Sequence, residues 1–239
     1  MLESAIKEIW NIVPDVEAKQ YSTHILIDEL KNKTSKSVIR VLDLGCGDGR
    51  SIDWFKRTGL KIDWKGLDIE GSPEANSRKR VDGEFITYNG IDIPFQESSF
   101  DIVLSNQVFE HVRHPEGVLR EIYRVLCKGG MFIGSVSYLE PFHSYSLFNF
   151  TPLGWYTVNV ENGLIPVFLA GGIDSLSLIN RYLKVTERRA DVWHCSSLNK
   201  SIINDDSLTV KEKNYKMLMN AGHIVFISKK YPREALQKP

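Results

Sequence analysis

The chain has 239 residues, of which 42% are hydrophobic, enough for one α/β domain with a sizeable core. Its 30 basic and 30 acidic residues balance, so the composition gives no sign of a nucleic-acid partner or an anionic membrane surface. No secretory signal and no apolar run of about 18 residues is present. We therefore expect a cytoplasmic, soluble protein without membrane insertion.

The three cysteines, Cys46, Cys127 and Cys195, are widely spaced and form no Cys-x-x-Cys pair. This pattern argues against a disulfide framework and against a structural zinc site, so we predict reduced thiols and no bound metal. No motif supplies Cys46 with a base, and we interpret it as a packing residue rather than a nucleophile.

Two helices are predicted before the first strand. Apolar residues recur at helical intervals within residues 1–35, and Pro14 divides the segment. We interpret residues 1–35 as a helical cover for one side of a sheet.

The most informative segment is residues 37–50, SVIRVLDLGCGDGR. Its apolar, β-branched run suits a strand buried on both faces, which stops at Gly45, Gly47 and Gly49. These glycines can take positive φ and let a ligand approach the backbone, and a helix is predicted over 51–57. The arrangement predicts a pocket for a nucleotide-like ligand.

The glycine spacing separates two classes of ligand. A dinucleotide-binding fingerprint would have its third glycine at position 50, where this chain has Arg50. Asp43, at the end of the strand, would repel a pyrophosphate but attract an ammonium or sulfonium group. We therefore expect a cationic ligand rather than a phosphorylated one.

A second predicted strand, residues 61–69, contains Asp68, nineteen positions after Gly49. One intervening helix would return the chain to a neighbouring parallel strand and place Asp68 beside the glycines. A carboxylate there can accept hydrogen bonds from both hydroxyls of a ribose, and we assign this role to Asp68. The alternative is a solvated loop acid.

The segment VLDLGCGDG resembles the first motif of the class I S-adenosylmethionine-dependent methyltransferases. The run EHVRHPEGVLREIYRVLCKGGMFIGSV is similar to the methyltransferase type 11-like branch, which methylates small molecules. The resemblance implies a three-layer, Rossmann-like α/β sandwich with helices on both faces. Its seven-stranded, mostly parallel sheet would have the order 3-2-1-4-5-7-6, with the last strand antiparallel. It further implies S-adenosyl-L-methionine as cofactor and S-adenosyl-L-homocysteine as product. N-terminal helices in this family also close over the substrate.

The resemblance also implies where the adenine of the donor would lie. Ile69 would pack against its face, and Gly90 would leave room for the base. Asn89 stands where the family usually has an aspartate, and its amide oxygen can still accept a hydrogen bond from the adenine amino group. Asp92 is the competing candidate for that contact.

The transferred methyl group would lie beyond the fourth predicted strand, residues 100–105, because ligands bind at the carboxyl ends of such strands. The stretch from Asn106 and Gln107 to His111 should border it. The expected donor-binding residues are Asp43, Gly45, Cys46, Gly47, Gly49, Asp68, Ile69, Asn89, Gly90, Asn106, Gln107 and His111.

The remaining elements are a helix over 115–126, ended by the KGG run at 128–130, and strands at 131–137 and 223–228. Residues 163–172 could form a strand or a buried helical segment. The segment YLEPFHSYSLFNFTPLGWY is similar to one in methyltransferases of polysaccharide and natural-product pathways. Within a single domain, 1–239, we interpret 138–205 as an insertion that covers the substrate; the alternative is that its aromatics only pad the sheet edge.

Two histidines are candidates for catalysis. Methyl transfer is an in-line displacement that depends mainly on positioning, but an acceptor of high pKa needs a base. His143 lies in the substrate segment and is predicted to bind or deprotonate the acceptor. His111 is the second candidate, although its position in the EHV element is more typical of donor binding.

The sequence therefore predicts methyl transfer to a small-molecule or saccharide acceptor, at oxygen in preference to nitrogen or carbon. Two alternatives remain open at this point. One is a nicotinamide-dependent oxidoreductase on a related fold, and the other is a non-catalytic relative that binds the donor.

Overall fold

The computed structural model describes residues 2–30, 36–141, 145–183 and 190–232, without the side chains of 2–5, 190 and 191. A seven-stranded sheet runs through these residues in the order β3-β2-β1-β4-β5-β7-β6. Its strands are β1 (Ile39–Leu44), β2 (Ile62–Ile69), β3 (Glu84–Tyr88), β4 (Phe100–Asn106), β5 (Leu126–Ser137), β6 (Leu164–Gly171) and β7 (His223–Lys230). The pairs from β3 to β5 are parallel, whereas β7 is antiparallel to both β5 and β6. The predicted fold class is confirmed.

Helices lie on both faces of the sheet. They are α1 (Leu2–Ile12), α2 (Thr23–Leu30), α3 (Ser51–Thr58), α4 (Pro73–Ser77), α5 (Pro115–Val125), α6 (Pro152–Glu161), α7 (Ser175–Tyr182), α8 (Ser197–Ile203) and α9 (Val210–Met219). Short 3-10 turns occupy Phe109–His111 and Ala190–Trp193. In the part of the chain that the structure describes, none of these helices has the length and apolar character to cross a bilayer.

Strand β1 shows why the core has two halves. Leu42 and Leu44 belong to one apolar cluster, together with Phe132 and Trp155, whereas Val41 belongs to another on the opposite face. Val41, Leu42 and Leu44 are fully buried because side chains alternate between two covered faces. This double burial explains the continuous apolar run in the sequence.

The two N-terminal helices correct the expectation of a cover on one side. Ile9 of α1 packs in the cluster of Leu42, whereas Ile27 of α2 packs in the cluster of Val41. The chain changes face at the β6 edge of the sheet, where the Tyr21 backbone nitrogen donates to the Gly171 oxygen at 3.0 Å. The helices therefore cover opposite faces, and α2 lies on the face of α3.

Two further boundaries differ from expectation. Helix α5 ends at Val125, before the KGG run, because the buried Leu126 already pairs with Phe100 of β4. The ambiguous segment 163–172 contains strand β6. Pro166 fits there because β6 is an edge strand and its register shifts between Pro166 and Phe168.

Candidate functional site

The glycines after β1 form a tight loop of bare backbone. Gly45, Gly47 and Gly49 have φ values of 70°, 51° and 80°, a region that side-chain-bearing residues rarely adopt. A Cβ atom on Gly45 would lie 2.3 Å from Cγ2 of Val108, and one on Gly49 would lie 2.9 Å from Cζ of Phe85. Glycine is therefore required here by both conformation and space.

The loop uses its backbone donors inside the protein. Gly45 and Cys46 donate to the Leu67 oxygen at 2.7 and 3.2 Å, and Gly49 donates to the Cys46 oxygen at 2.8 Å. A phosphate site would present such N–H groups to the ligand instead. The geometry therefore favours close approach of a ligand without anion binding, as the glycine spacing predicts.

Asp68 lies beside this loop, as its position at the end of β2 predicts. Its Oδ2 accepts a hydrogen bond from the Gly47 nitrogen at 2.8 Å, and its Oδ1 accepts one from the Ile69 nitrogen at 2.8 Å. Only 7% of the residue is exposed. A carboxylate offers about four lone-pair positions, so these two bonds leave capacity for ligand hydroxyls.

Asp43 occupies a buried position beneath the loop. Its Oδ2 accepts from Ser51 Oγ at 2.5 Å, and Ser51 Oγ in turn accepts from Trp64 Nε1 at 2.9 Å. Burial raises the pKa of Asp43 to about 7, with smaller contributions from the charges of Asp68 and Asp48, while the Ser51 bond opposes the rise. Asp43 therefore links the glycine loop to the start of α3, and its predicted attraction for a cation depends on its ionisation.

Cys46 packs within the same loop. It is 6% exposed, and a Cβ on Gly66 would lie 2.7 Å from its sulfur. Burial raises the pKa of its thiol well above the ordinary value. These features fit the interpretation of a packing residue.

Two arginines that sequence reasoning did not single out hold the outside of the loop. Arg78 Nε donates to the Gly47 oxygen at 2.7 Å, and Arg80 Nη1 donates to the Gly49 oxygen at 3.0 Å. The Arg78 guanidinium also lies 4.0 Å from the centre of the Phe85 ring. The only signal in the sequence is the basic run SRKR after α4.

The predicted adenine residues form a second group at the ends of β2 and β3. Ile69 is 48% exposed, and Gly90, with φ of 86°, lies next to it. Asn89 Oδ1 accepts from the nitrogens of Ile91 and Asp92 at 2.9 and 2.8 Å, and Asn89 Nδ2 donates to Asp92 Oδ2 at 2.7 Å. Asn89 and Asp92 are thus parts of one turn, and their contact with a base stays a prediction.

Asn106 and Gln107 are fixed at the carboxyl end of β4. Asn106 Oδ1 accepts from Thr23 Oγ1 of α2 at 2.6 Å and from Ser135 Oγ of β5 at 3.0 Å. Gln107 has φ of 56°, and its backbone nitrogen and Nε2 donate to the oxygen and Oγ of Ser135, both at 3.0 Å. Helix α2 therefore reaches the predicted methyl position through Thr23.

A polar cluster continues from these residues toward β7. Ser137 Oγ lies 3.1 Å from Gln107 Oε1, 3.2 Å from Glu110 Oε1 and 2.7 Å from Glu140 Oε2. His223 Nε2 lies 3.1 Å from the same Glu140 oxygen. Sequence reasoning assigned no function to Glu140 or His223, because their meeting depends on an antiparallel strand and not on a local pattern.

Of the two histidines predicted as catalytic candidates, the structure describes His111. His111 ends the 3-10 turn after β4, where its nitrogen donates to the Val108 oxygen at 2.9 Å. His143 lies outside the described residues. The described segment after residue 144 contacts the 3-10 turn of His111, because the backbone nitrogens of Leu147 and Phe148 donate to the backbone oxygen of Glu110 at 2.6 and 3.1 Å. The catalytic roles of both histidines stay predictions.

The chain is similar to known methyltransferases. Residues 42–134 match the model of a family described as a methyltransferase domain. An uncharacterised methyltransferase of Mycolicibacterium gilvum is 31% identical over 135 residues, 52% of this chain and 51% of that protein. A Mycolicibacterium smegmatis protein, described as a probable S-adenosylmethionine-dependent methyltransferase, is 29% identical over 119 residues, 45% of this chain and 46% of its own. This chain thus spans about half the length of the curated relatives it matches.

A solved structure shares the fold over most of the chain. It is the Burkholderia thailandensis 1,6-didemethyltoxoflavin-N1-methyltransferase with bound 1,6-didemethyltoxoflavin and S-adenosylhomocysteine. The TM-score is 0.53 and the sequence identity 16%, with coverage of 88% of this chain and 79% of that one. At this identity the likeness concerns the fold alone.

Proposed function

We propose that this chain is a class I S-adenosylmethionine-dependent methyltransferase, a proposal supported by the methyltransferase-domain match over residues 42–134, and that it methylates a small-molecule or saccharide acceptor, at oxygen. The observation that carries the proposal is the contact of the Asp68 carboxylate with the Gly47 nitrogen at 2.8 Å. It joins the acid that we assign to the ribose to a loop that has no room for side chains.

The residues present fit the cofactor. The positive-φ loop leaves free the space that Cβ atoms would fill, and Asp68 keeps hydrogen-bond capacity for a diol. Ile69 offers an exposed apolar surface, and Gly90 adjoins it without a side chain. S-adenosylmethionine, when bound, supplies a methyl group already activated on a sulfonium sulfur. We assign its ribose to Asp68, its adenine to the group of Ile69, Asn89 and Gly90, and its reacting end to Asn106 and Gln107.

The contribution of the chain itself is positioning. Asn106 and Gln107 are each held by hydrogen bonds to Ser135, so that the floor of the predicted methyl site is rigid. Fixing acceptor and donor in line can lower a barrier by about 7–11 kcal/mol. Once the donor is bound and positioned, methyl transfer needs little catalytic assistance beyond a base that accepts the proton of the acceptor.

Oxygen is the acceptor atom we infer, since the polar groups beyond β4 and β5 suit a hydroxyl. Glu110, Ser137 and Glu140 form a cluster of oxygen acceptors there, and carboxylates are good partners for a hydroxyl hydrogen.

The free thiols of Cys46, Cys127 and Cys195 fit a reducing, cytoplasmic location.

Calorimetric titration tests the proposal. We expect heat with S-adenosylmethionine and S-adenosylhomocysteine and none with NADH or NADPH, and transfer of a labelled methyl group in a panel of phenols, alcohols and free sugars. Heat with a nicotinamide cofactor alone would overturn it in favour of an oxidoreductase. Binding without transfer to any acceptor, including that of whole-cell metabolite extracts, would indicate a non-catalytic relative.

A further inference from the structure

His223 and Glu140 form a partly buried pair at the carboxyl edge of the sheet. His223 Nε2 lies 3.1 Å from Glu140 Oε2, and the two side chains are 15% and 10% exposed. His223 is the first residue of β7, and it pairs with Ser137, the last residue of β5. Because β7 runs antiparallel, its first residue lies at the edge where the parallel strands end.

This pair is close to the position proposed for the methyl group. Asn106 of β4 pairs with Ser135 of the neighbouring strand β5. Ser137 lies two residues farther along β5, and it pairs with His223 of the next strand, β7. Two strand spacings across the sheet and two residues along β5 place the backbone of His223 roughly 12 Å from that of Asn106. A small acceptor could therefore contact both the predicted methyl site and His223.

Polar contacts connect the two positions. Gln107 Nε2 donates to Ser135 Oγ, Ser137 Oγ lies 3.1 Å from Gln107 Oε1 and 2.7 Å from Glu140 Oε2, and His223 contacts the same Glu140 oxygen. The residues are thus held in one network, so that His223 has a fixed place relative to Gln107.

The contact with Glu140 determines which ring nitrogen of His223 can take a proton. A carboxylate oxygen accepts, so Nε2 carries the hydrogen and Nδ1 keeps its lone pair. Within the described part of the chain, the contacts of His223 side-chain nitrogens are limited to this one bond. The arrangement has the form of a base oriented by a third group.

We propose that His223 is the general base for the acceptor hydroxyl and that Glu140 is its positioning residue, an inference that rests on the proposed methyl transfer. The acceptor oxygen bonds to the methyl carbon while its proton moves to Nδ1 of His223. The electron pair of the broken carbon–sulfur bond stays on sulfur, which becomes a neutral thioether. Glu140 stabilises the imidazolium, and the proton then leaves to solvent.

Among the described residues, Glu140, Glu110 and Arg181 are charged groups near the His223 ring. Glu140 contacts Nε2, and Glu110 lies beyond Ser137 in the same network. The centre of the Trp193 ring lies 6.0 Å from that of the His223 ring, and the Arg181 guanidinium lies 5.1 Å from the Trp193 ring. Among these groups, Glu140 is the one in hydrogen-bond contact with the imidazole.

The first test does not require an acceptor. In nitrogen-15 NMR of the labelled protein, His223 should show a protonated Nε2 and an unprotonated Nδ1 at high pH, and E140Q should change this tautomer ratio. Addition of S-adenosylhomocysteine should shift the Nδ1 resonance. A protonated Nδ1, or an Nδ1 that does not respond to S-adenosylhomocysteine, would overturn the proposal.

The second test uses phenol and 4-nitrophenol as acceptors. H223Q keeps a donor for Glu140 but has no titrating base, so kcat with phenol should fall about 100-fold or more while the affinity for S-adenosylhomocysteine is unchanged. The acid limb of the pH profile should disappear. With 4-nitrophenol, which is largely ionised near neutral pH, the loss should be much smaller. E140Q should show an intermediate loss.

The outcomes separate this inference from the proposed function. If wild-type protein does not bind S-adenosylhomocysteine, the proposed function fails. If it binds and H223Q keeps the wild-type rate and pH profile with phenol, only the role of His223 fails. If wild-type protein methylates neither phenol nor 4-nitrophenol, the NMR test decides the role of His223, through its tautomer and the response of its Nδ1 resonance to S-adenosylhomocysteine.

Discussion

The Gly47 nitrogen donates a hydrogen bond to the Asp68 carboxylate at 2.8 Å, which joins the middle glycine of the loop to the acid at the end of β2. One contact thus fixes the loop and orients the carboxylate. Asp68 is 7% exposed, and its carboxylate is held by this bond and by a second hydrogen bond from the Ile69 nitrogen.

Replacement of Asp68 by Asn should weaken binding of S-adenosylhomocysteine by at least tenfold. The amide oxygen can still accept from Gly47, but the amide NH2 group cannot accept from Ile69. The charge that strengthens hydrogen bonds to ribose hydroxyls, each worth about 1.5–3 kcal/mol, is also lost. Calorimetry measures the change. The matched control is Asp63→Asn, an exposed acid on the same strand, which should leave affinity unchanged. Equal affinities of wild type and Asp68→Asn would contradict the assignment.

Gly45→Ala should cost more stability than Gly59→Ala. Both glycines have φ near 70°, so both variants incur a backbone penalty of about 1–2 kcal/mol. Only at Gly45 would the new Cβ also meet Val108, at 2.3 Å, whereas nothing lies within 4 Å at Gly59. Overpacking should add about 1–3 kcal/mol.

Urea unfolding of the two single variants measures this difference. The double variant Gly45→Ala/Val108→Ala should recover part of the loss, since it removes the clash but not the backbone strain. Equal destabilisation of the two single variants would show that Val108 does not restrict the loop.

Asp43 should make stability depend on pH. Its folded-state pKa of about 7 lies above the unfolded value near 3.8, mainly because it is buried, so the native state keeps this proton longer. Its contribution to stability is therefore fully present below about pH 4 and is lost as pH rises through about 7. Asp43→Asn cannot titrate, and its free energy of unfolding should fall less than that of wild type between pH 4 and pH 7.

Ser51→Ala provides the second variant for this prediction. It removes the hydrogen bond that stabilises the Asp43 carboxylate, so the pH range of the stability loss should extend upward. Denaturant unfolding across the pH range gives both comparisons. Parallel pH profiles for wild type and Asp43→Asn would refute the raised pKa.

The elements of the fold that follow from local pattern could be predicted from the sequence. Strand β1 is an apolar run stopped by glycines, and β4 (Phe100–Asn106) begins at the predicted residue. The end of α5 could not be predicted, because the pairing of Leu126 with Phe100 decides it. Tertiary contact there overrides a glycine stop signal.

The candidate site likewise contains one contact that the sequence predicts and one that it does not. Gly47 and Asp68 meet because one crossover joins neighbouring parallel strands, a rule that can be applied to a sequence. Glu140 and His223 are 83 positions apart, and they meet only because β7 inserts antiparallel beside β5. No local spacing marks such a pair, so the structure was needed to find it.

Thr23 should couple helix α2 to donor binding. Its Oγ1 donates to Asn106 Oδ1 at 2.6 Å, and the residue is 2% exposed. Thr23→Val keeps the shape but removes the donor, so stability should fall by about 1 kcal/mol. The amide of Asn106 then keeps only its bond from Ser135 within the described network, and we expect S-adenosylhomocysteine to bind several-fold more weakly.

Thr58→Val separates the effect on binding from the effect on stability. Thr58 is equally buried, and its Oγ1 donates to the Phe55 oxygen at 2.6 Å at the far end of α3. This variant should lose similar stability with unchanged affinity, whereas Thr23→Ser, which keeps a hydroxyl, should restore binding. Calorimetry and denaturant unfolding on the three variants decide the matter, since equal weakening by Thr23→Val and Thr58→Val would mean that affinity follows stability and not the Asn106 contact.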